Sequence, residues 1–256
     1  MPNLKPIEPK HLCHYTSVDV LCNIFVDIKD EKMFFHASSV MFMNDSAEYM
    51  AARNCCRDGV DEIIMKDYLG IPFALCFSEN EDIIPMWSMY AQKGKGICLM
   101  FDYNELSRHF ENLRKNEKDV FNFVYFSLCQ YKEFEYKNED KKPLSLDIDY
   151  PDTGRLCKMM TENAFIKPPS FNYEKEWRLM VWQKWHPSKK HKIHFKVRDE
   201  ELCPYLKIPI PVRCLKQIVL SPSASDLMID SVRLLLANYA PGHTIKVVKS
   251  DITLKF

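Results

Sequence analysis

Residues 172–182 (NYEKEWRLMVW) hold the strongest combination of side chains that could carry chemistry. Side chains alternate between the two faces of a strand, so Glu174, Glu176 and Arg178 share one face if this segment is extended. The opposite face then carries the apolar residues Trp177, Leu179 and Val181. Carboxylates stabilise oxocarbenium-like centres in glycosidic chemistry, but the same pattern also fits an exposed ladder of opposite charges. Periodicity leaves both interpretations open.

A second candidate lies near the start of the chain, in HLCHYTSVDVLCNIF at residues 11–25. His14, Tyr15 and Thr16 stand where a short strand meets a helix. An imidazole and a hydroxyl at one strand end can both hydrogen-bond a sugar. The alternative is a partly buried histidine beside a helix cap.

A third segment, CFSENEDIIPMWSMYAQKGKGICLMFD at residues 76–102, offers a hydroxyl, an indole and a phenol between two strands. Ser78, Trp87 and Tyr90 could line one cleft with the earlier candidates. Trp87 and Tyr90 are three apart on a predicted helix, a spacing that equally suits two core residues.

Residues 184–194 (KWHPSKKHKIH) are basic and contain a tryptophan. Such a segment can grip phosphates, but most such runs form a solvated hairpin. His11, Cys13 and His14 do not complete a zinc site, because a structural zinc needs four ligands and no second clustered pair has fitting spacing. We therefore expect no metal.

Composition limits the function classes. The chain has 256 residues, is 46% hydrophobic and balances 35 basic against 35 acidic residues, so no overall field attracts nucleic acid or an anionic membrane. The ten cysteines are scattered without a CxxC pair, and the six glycines form neither GxGxxG nor a P-loop. With no signal core and no membrane-length apolar run, we expect a cytoplasmic protein with no membrane partner.

The elements that would position these residues are short. Strands are predicted at 11–15, 32–37, 72–78 and 96–102, and helices follow the first, the third and the fourth. A helix is also predicted from Met43, another near 154–165, and a third at 224–240. The charged segment at 137–153 is predicted to be an exposed loop or insertion. In the last third of the chain, predicted strands alternate with one helix. The pattern favours one α+β domain over residues 1–256, with two packed, mainly antiparallel sheets and peripheral helices.

As an ordered set, HYTS, FMNDSAEY, CFSENEDIIPMWSMYAQKGKGICLMFD, YEKEWRL and IVLSP with VVKSDITLKF resemble the bacterial domain-of-unknown-function 2971 family. That family is in turn similar to the ADP-ribosyltransferase fold, which cleaves NAD at its nicotinamide glycosidic bond. CHYTSVDVLCNIF resembles the opening of the group that contains the DNA-modifying DarT toxins and the RNA 2'-phosphotransferases.

The resemblance implies roles for the candidates. Glu176 would be the catalytic glutamate, with Glu174 as the first glutamate of an E-x-E pair. His14 would hold the ribose and nicotinamide amide of NAD. The remaining NAD-binding candidates are Tyr15, Thr16, Ser78, Trp87, Tyr90 and Arg178. The context CFSEN departs from an STS motif, so the middle residue of the triad is either Ser78 or Tyr90.

The implied function is an NAD-using ADP-ribosyltransferase or NAD glycohydrolase, with NAD as substrate and a protein or nucleic acid as the ADP-ribose acceptor. Relatives suggest a toxin or a phage-defence effector. Two alternatives remain open: a non-catalytic module that binds a nucleotide or nucleic acid, and an enzyme like the RNA 2'-phosphotransferases. The latter would need the basic segment 184–194 around the phosphate.

Overall fold

The computed structural model describes residues 8–40, 71–117, 121–132, 164–183, 192–198 and 200–253. The predicted helix from Met43 and the predicted loop at 137–153 lie outside these ranges. So do nearly all of the predicted helix at 154–165 and most of the basic segment 184–194.

In the first half of the chain, the strands and helices follow the apolar periodicity closely. Ser17 accepts a hydrogen bond from the backbone N–H of Val20 and thereby caps the first helix. Asp102 caps the third helix in the same way, through the N–H of Glu105. The elements are β1 (His11–Thr16), α1 (Val18–Val26), β2 (Lys32–Ser39), β3 (Ile71–Ser78), α2 (Ile84–Tyr90), β4 (Ile97–Asp102), α3 (Tyr103–Asn116) and β5 (Phe121–Leu128).

The second half is richer in strands, and the strands at 166–167 and 201–211 were not predicted. Its elements are β6 (Gln130–Tyr131), β7 (Ile166–Lys167), a 3-10 helix (Pro169–Glu174), β8 (Glu176–Gln183), β9 (His194–Arg198), β10 (Glu201–Pro211), a 3-10 turn (Val212–Cys214), β11 (Leu215–Leu220), α4 (Asp226–Tyr239) and β12 (Lys246–Lys249). β10 contains three prolines, which removes the usual strand signal. The sequence ITLKF at 252–256 is also typical of a strand, but residues 252–253, its described part, are not in one.

Hydrogen bonding joins ten of the described strands into one sheet, and β6 and β7 form a separate parallel pair. The main path runs β12-β11-β4-β1-β3-β2-β10-β9, and β8 and β5 extend from β3. Its pairs are antiparallel except β11 with β12. The mixed α+β class is confirmed, but two packed sheets are not, because the strands form one branched network.

The branch lies at β3. β8 pairs with β3 along its whole length, so β1 and β2 must share the other edge. β1 pairs with β3 only through Cys13 and Ser78, whereas β2 reaches Ala74 and Phe73 at the opposite end. Residues 75–77 therefore lie where β1 and β2 diverge, and the sheet is split at this point.

Apolar side chains cover both faces of the central strands. Phe77 lies at the centre of the largest cluster, with ring centroids 5.8 Å from Phe101 and 6.1 Å from Phe110 and Phe126. On β8, alternate residues enter opposite clusters, and all eight positions are buried. Burial on both faces makes the sheet a rigid support for side chains at the split. In the described ranges, no helix has the length and apolar character needed to cross a bilayer.

Candidate functional site

A cavity of about 430 Å³ lies at the split in the sheet. Its walls come from the diverging strands β1 and β2, from β3 between them, from α2, and from the segment that leads into β8. A volume of this order suits a small organic ligand. Six of the candidates proposed from the sequence line it: His14, Tyr15, Ser78, Tyr90, Glu174 and Glu176.

The two glutamates reach the cavity from different elements. Glu176 is the first residue of β8, but Glu174 ends the preceding 3-10 helix, and Lys175 between them has a left-handed backbone with φ 41°. The prediction that Glu174, Glu176 and Arg178 share one strand face is therefore wrong for Glu174. A 3-10 helix begins at Pro169, where the fixed φ and the missing N–H of proline are tolerated, and it continues to Glu174.

Both carboxylates are ionically paired, although both side chains are buried. Glu176 accepts from Nε of Arg178 at 2.8 Å and from Nη2 at 3.0 Å, a two-pronged contact that fixes the plane of the carboxylate. The ammonium of Lys167 donates to Oε2 of Glu176 at 2.8 Å and also to Oε2 of Glu174. Two cations thus neutralise two anions.

This pairing sets the charge of Glu176. Burial alone would raise the pKa of Glu176, but Arg178 and then Lys167 outweigh it and lower the pKa to about 2. The backbone N–H of Glu176 also donates to the hydroxyl of Tyr131 at 2.6 Å. Glu176 is therefore a fixed, ionised carboxylate at neutral pH.

Two further contacts reach Glu174, and a third reaches Tyr173 immediately before it. The Tyr90 hydroxyl donates to Oε1 of Glu174 at 2.5 Å, and burial followed by Glu174 raises the pKa of Tyr90. The Ser78 hydroxyl donates to the backbone carbonyl of Glu174 at 2.6 Å, and Nδ2 of Asn80 donates to the carbonyl of Tyr173 at 2.5 Å. The end of β3 therefore anchors the turn that presents Glu174.

His14 faces the cavity from β1. Its Nδ1 lies 2.9 Å from the backbone carbonyl of Cys76, which sits at the split and can only accept. Nδ1 must therefore carry the proton. Burial lowers the pKa of His14, so the ring is neutral and Nε2 is left as an acceptor.

The other candidates are placed differently. Tyr15 lines the cavity, and its hydroxyl donates to the carbonyl of Asn80 at 3.1 Å. Three of the candidates proposed from the sequence do not line the cavity, namely Thr16, Trp87 and Arg178. Trp87 is fully buried and donates its indole N–H to Asp82 at 2.8 Å. Arg178 acts behind the wall through Glu176, and its Nη1 donates to the carbonyl of Ala164 at 2.6 Å.

Several lining residues escaped the sequence reasoning. Lys167 precedes two prolines and carries no motif, and its role follows only from the fold. His36 and Ser38 come from β2, and Arg198 from the end of β9. Strand alternation groups His36 with Ser38 and could have placed both on one face, but it could not have brought that face to His14.

The arrangement defines a class of site. An ionised carboxylate, a second carboxylate bonded to a phenol and a neutral imidazole share a partly enclosed cavity, which is the composition expected of a site for a small polar substrate. Arg198 adds a cationic group to the lining of this cavity.

Residues 86–179 match the family described as "Protein of unknown function (DUF2971)". This match confirms the resemblance inferred from the sequence motifs. No curated protein matches the chain.

Among solved structures, the chain is similar to Thermus sp. 2.9 DarT in complex with carba-NAD+, with 12% identity and a TM-score of 0.38 over 95% of this chain and 96% of that one. It is likewise similar to Thermus sp. 2.9 DarT in complex with NAD+, at 13% identity and a TM-score of 0.36 over 95% and 96% of the two chains. A third structure, that DarT in complex with ADP-ribosylated ssDNA, gives 12% identity and a TM-score of 0.37 over 95% of each chain.

Proposed function

We propose that this protein is an NAD-using ADP-ribosyltransferase or NAD glycohydrolase. The observation that carries the proposal is the convergence of His14, Tyr90, Glu174 and Glu176 on one cavity. These residues are widely separated in the sequence, and they are the ones to which the family resemblance assigns ribose binding and catalysis.

The cavity has features that suit NAD. His14 would accept a hydrogen bond from a ribose hydroxyl through Nε2, because its Nδ1 is committed to Cys76. Apolar and aromatic lining, including Met86 and Phe171, would pack against the nicotinamide ring. Arg198, at the end of β9, would pair with the diphosphate, for which a guanidinium is well matched.

The reaction would break the bond between ribose C1' and the pyridinium nitrogen. The bonding electron pair goes to nicotinamide, which leaves as a neutral molecule, and positive charge develops on the ribose. An ionised Glu176 facing that charge stabilises the transition state more than the ground state. Its carboxylate is already oriented by Arg178, so little reorganisation is needed during the reaction.

The ribosyl cation is then captured by water or by a nucleophile of an acceptor, and a proton is released. Hydrolysis gives ADP-ribose, nicotinamide and one proton. Glu174 would receive that proton, because it lies beside Glu176 and contacts the same ammonium. Transfer and hydrolysis differ only in the nucleophile.

Nicotinamide release from NAD tests the proposal. Purified protein is incubated with NAD, with and without cell lysate, and wild type is compared with Glu176→Gln. Loss of the preorganised charge is expected to lower the rate by about a hundredfold to a thousandfold. Release that requires lysate indicates a transferase, whereas lysate-independent release indicates a glycohydrolase.

Glu79→Gln is the matched control. Glu79 follows β3 directly and accepts from the Trp177 indole at 2.7 Å, but it does not line the cavity. This variant is expected to retain activity close to wild type. If wild type binds NAD without releasing nicotinamide, the protein is a binding module instead, and if it neither binds nor cleaves NAD the proposal fails.

A further inference from the structure

Lys167 is a lysine buried between the two candidate carboxylates. It is only 5% exposed, and its ammonium contacts both Glu174 and Glu176. Lysine is almost never this buried unless it is paired. Cleavage of the glycosidic bond needs no amine at this place, so the lysine calls for a different explanation.

The backbone around Lys167 holds its ammonium in place. β7 pairs with β6, which sets Lys167 opposite Tyr131, and the Tyr131 hydroxyl accepts the backbone N–H of Glu176. The ring of Phe171 lies 4.9 Å from the ammonium, a distance that permits a cation–π contact. The small sheet therefore couples the position of Lys167 to that of Glu176.

The charges that meet here come from several elements. β8 contributes Glu176 and Arg178, the 3-10 helix contributes Glu174, and β7 contributes Lys167. The neutral titratable groups that face them are Tyr90 from α2, Tyr131 from β6, Cys76 from β3 and Tyr173 from the 3-10 helix. With both cations present, the cluster carries no net charge.

Without Lys167 that balance is lost. Arg178 pairs with Glu176 through two nitrogen atoms of its guanidinium group. Two carboxylates that share a buried site with a single cation cannot both remain ionised, and one of them takes up a proton. Arg178 still pairs with Glu176, so Glu174 is the carboxyl that takes up the proton, and a protonated Glu174 can no longer receive the proton that the cleavage proposed above releases.

We propose that Lys167 is a positioning residue that keeps Glu174 and Glu176 ionised side by side, so that the cleavage proposed above proceeds at neutral pH. The part that concerns cleavage rests on the proposed function. The part that concerns charge is a property of the fold alone.

The charge role is tested by thermal unfolding of the full chain between pH 5 and pH 8. Lys167→Met keeps the length and apolar stem of the side chain but removes its charge, and we expect the melting temperature at pH 8 to fall by about 6 °C or more. In this variant one carboxyl has a folded-state pKa above its unfolded value, so its stabilisation is present at low pH and lost as the pH rises. The deficit relative to wild type should therefore shrink towards pH 5.

A purely structural lysine predicts a deficit that does not change with pH, and that result would overturn the proposal. Lys216→Met, at an exposed lysine paired with Glu105, is the control and should show little deficit at any pH in this range. The double variant Lys167→Met/Glu174→Gln restores neutrality and should regain most of the lost melting temperature. The double variant also tests the charge role if the single variant does not fold. A double variant that is no more stable than Lys167→Met contradicts that role.

The catalytic role is tested by nicotinamide release as a function of pH. The acidic limb for Lys167→Met is expected to move upward by at least about one pH unit, and Lys167→Arg should restore the wild-type profile. An unchanged profile in an active Lys167→Met enzyme overturns this part. If wild type itself releases no nicotinamide, the proposed function fails, while the unfolding data still decide the charge role of Lys167.

Discussion

His14 shows how one hydrogen bond determines what a side chain can do. Its Nδ1 donates to a carbonyl at the split in the sheet, so the neutral ring presents an acceptor at Nε2. The same bond satisfies a backbone group on β3 that lies between the diverging strands. His14 is therefore both part of the sheet's hydrogen bonding and a candidate ligand contact.

Replacing His14 by Phe should weaken NAD binding by about threefold to tenfold, the range expected for one lost hydrogen bond. Isothermal titration calorimetry measures the effect. His11→Phe, at a half-buried histidine that does not line the cavity, is the control and should bind NAD like wild type.

Wild-type affinity should also stay constant between pH 6.5 and 8.5. The lowered pKa of His14 keeps its ring neutral throughout this interval. A marked loss of affinity as the pH falls from 8 to 7 would contradict the neutral state assigned to this ring.

At the scale of elements, the turn between α2 and β4 positions Tyr90. Gly96 donates to the carbonyl of Ala91 at 2.8 Å and closes this turn. A Cβ at Gly96 would lie 2.2 Å from the carbonyl oxygen of Thr16 and 2.9 Å from the carbonyl carbon of Ala91. Both neighbours are backbone atoms, so neither can move aside cheaply.

We therefore expect Gly96→Ala to lower the free energy of unfolding by about 1–3 kcal/mol, as measured by urea denaturation. Gly242→Ala provides the comparison, because Gly242 has open space around it but a φ of +87°. Its cost should be about 1–2 kcal/mol and should come from backbone strain alone.

Gly96→Ala should also reduce NAD cleavage through displacement of α2, an effect that Gly242→Ala should lack. Equal activity in the two variants would show that the turn does not position Tyr90.

Local sequence predicted the structure where a feature lies within one element or at the junction of two consecutive elements. The junction of β1 with α1 and the capped helix α3 follow from periodicity and capping residues. The course of the chain around Glu174 does not follow from periodicity, because a 3-10 helix over Pro169–Glu174 stands where a strand was predicted. Lys167 was missed for a related reason: its importance comes from pairing between β6 and β7, which lie far apart in sequence.

For the whole molecule, stability should depend on pH through groups around the cavity. His36 has a pKa lowered to about 4, mainly by burial and then by Lys196 and Lys207. Between pH 6.5 and 4 the unfolded chain therefore binds more protons than the folded one, and stability falls as the pH falls. Glu176, with its pKa of about 2, adds a further loss between pH 4.5 and 2.

The melting temperature should consequently fall in two stages as the solution is acidified. His36→Gln should flatten the stage between pH 6.5 and 4 and leave the lower one in place. Differential scanning fluorimetry across this range provides the measurement. An unchanged upper stage in His36→Gln would assign it to His14 or to another histidine instead.

The fold class was predictable from the whole sequence because short β-rich segments alternate with a few amphipathic helices. The branched sheet was not. That β1 and β2 share one edge of β3 depends on pairings such as Cys13 with Ser78 and Ser38 with Ala74, and no local pattern encodes them. The cavity lies at that branch, so it could not be predicted from local sequence either.

The split sheet also sets when the site can form during synthesis. Ser78 pairs with Cys13 on one side and with Glu176 on the other, so the cavity needs strands from the beginning and from the later part of the chain. Such distant pairings are slow to close and come late in folding. A nascent chain still on the ribosome before β8 has emerged has no such cavity. If the protein attacks NAD, the cell that makes it is exposed to that activity only after most of the chain has been translated and folded.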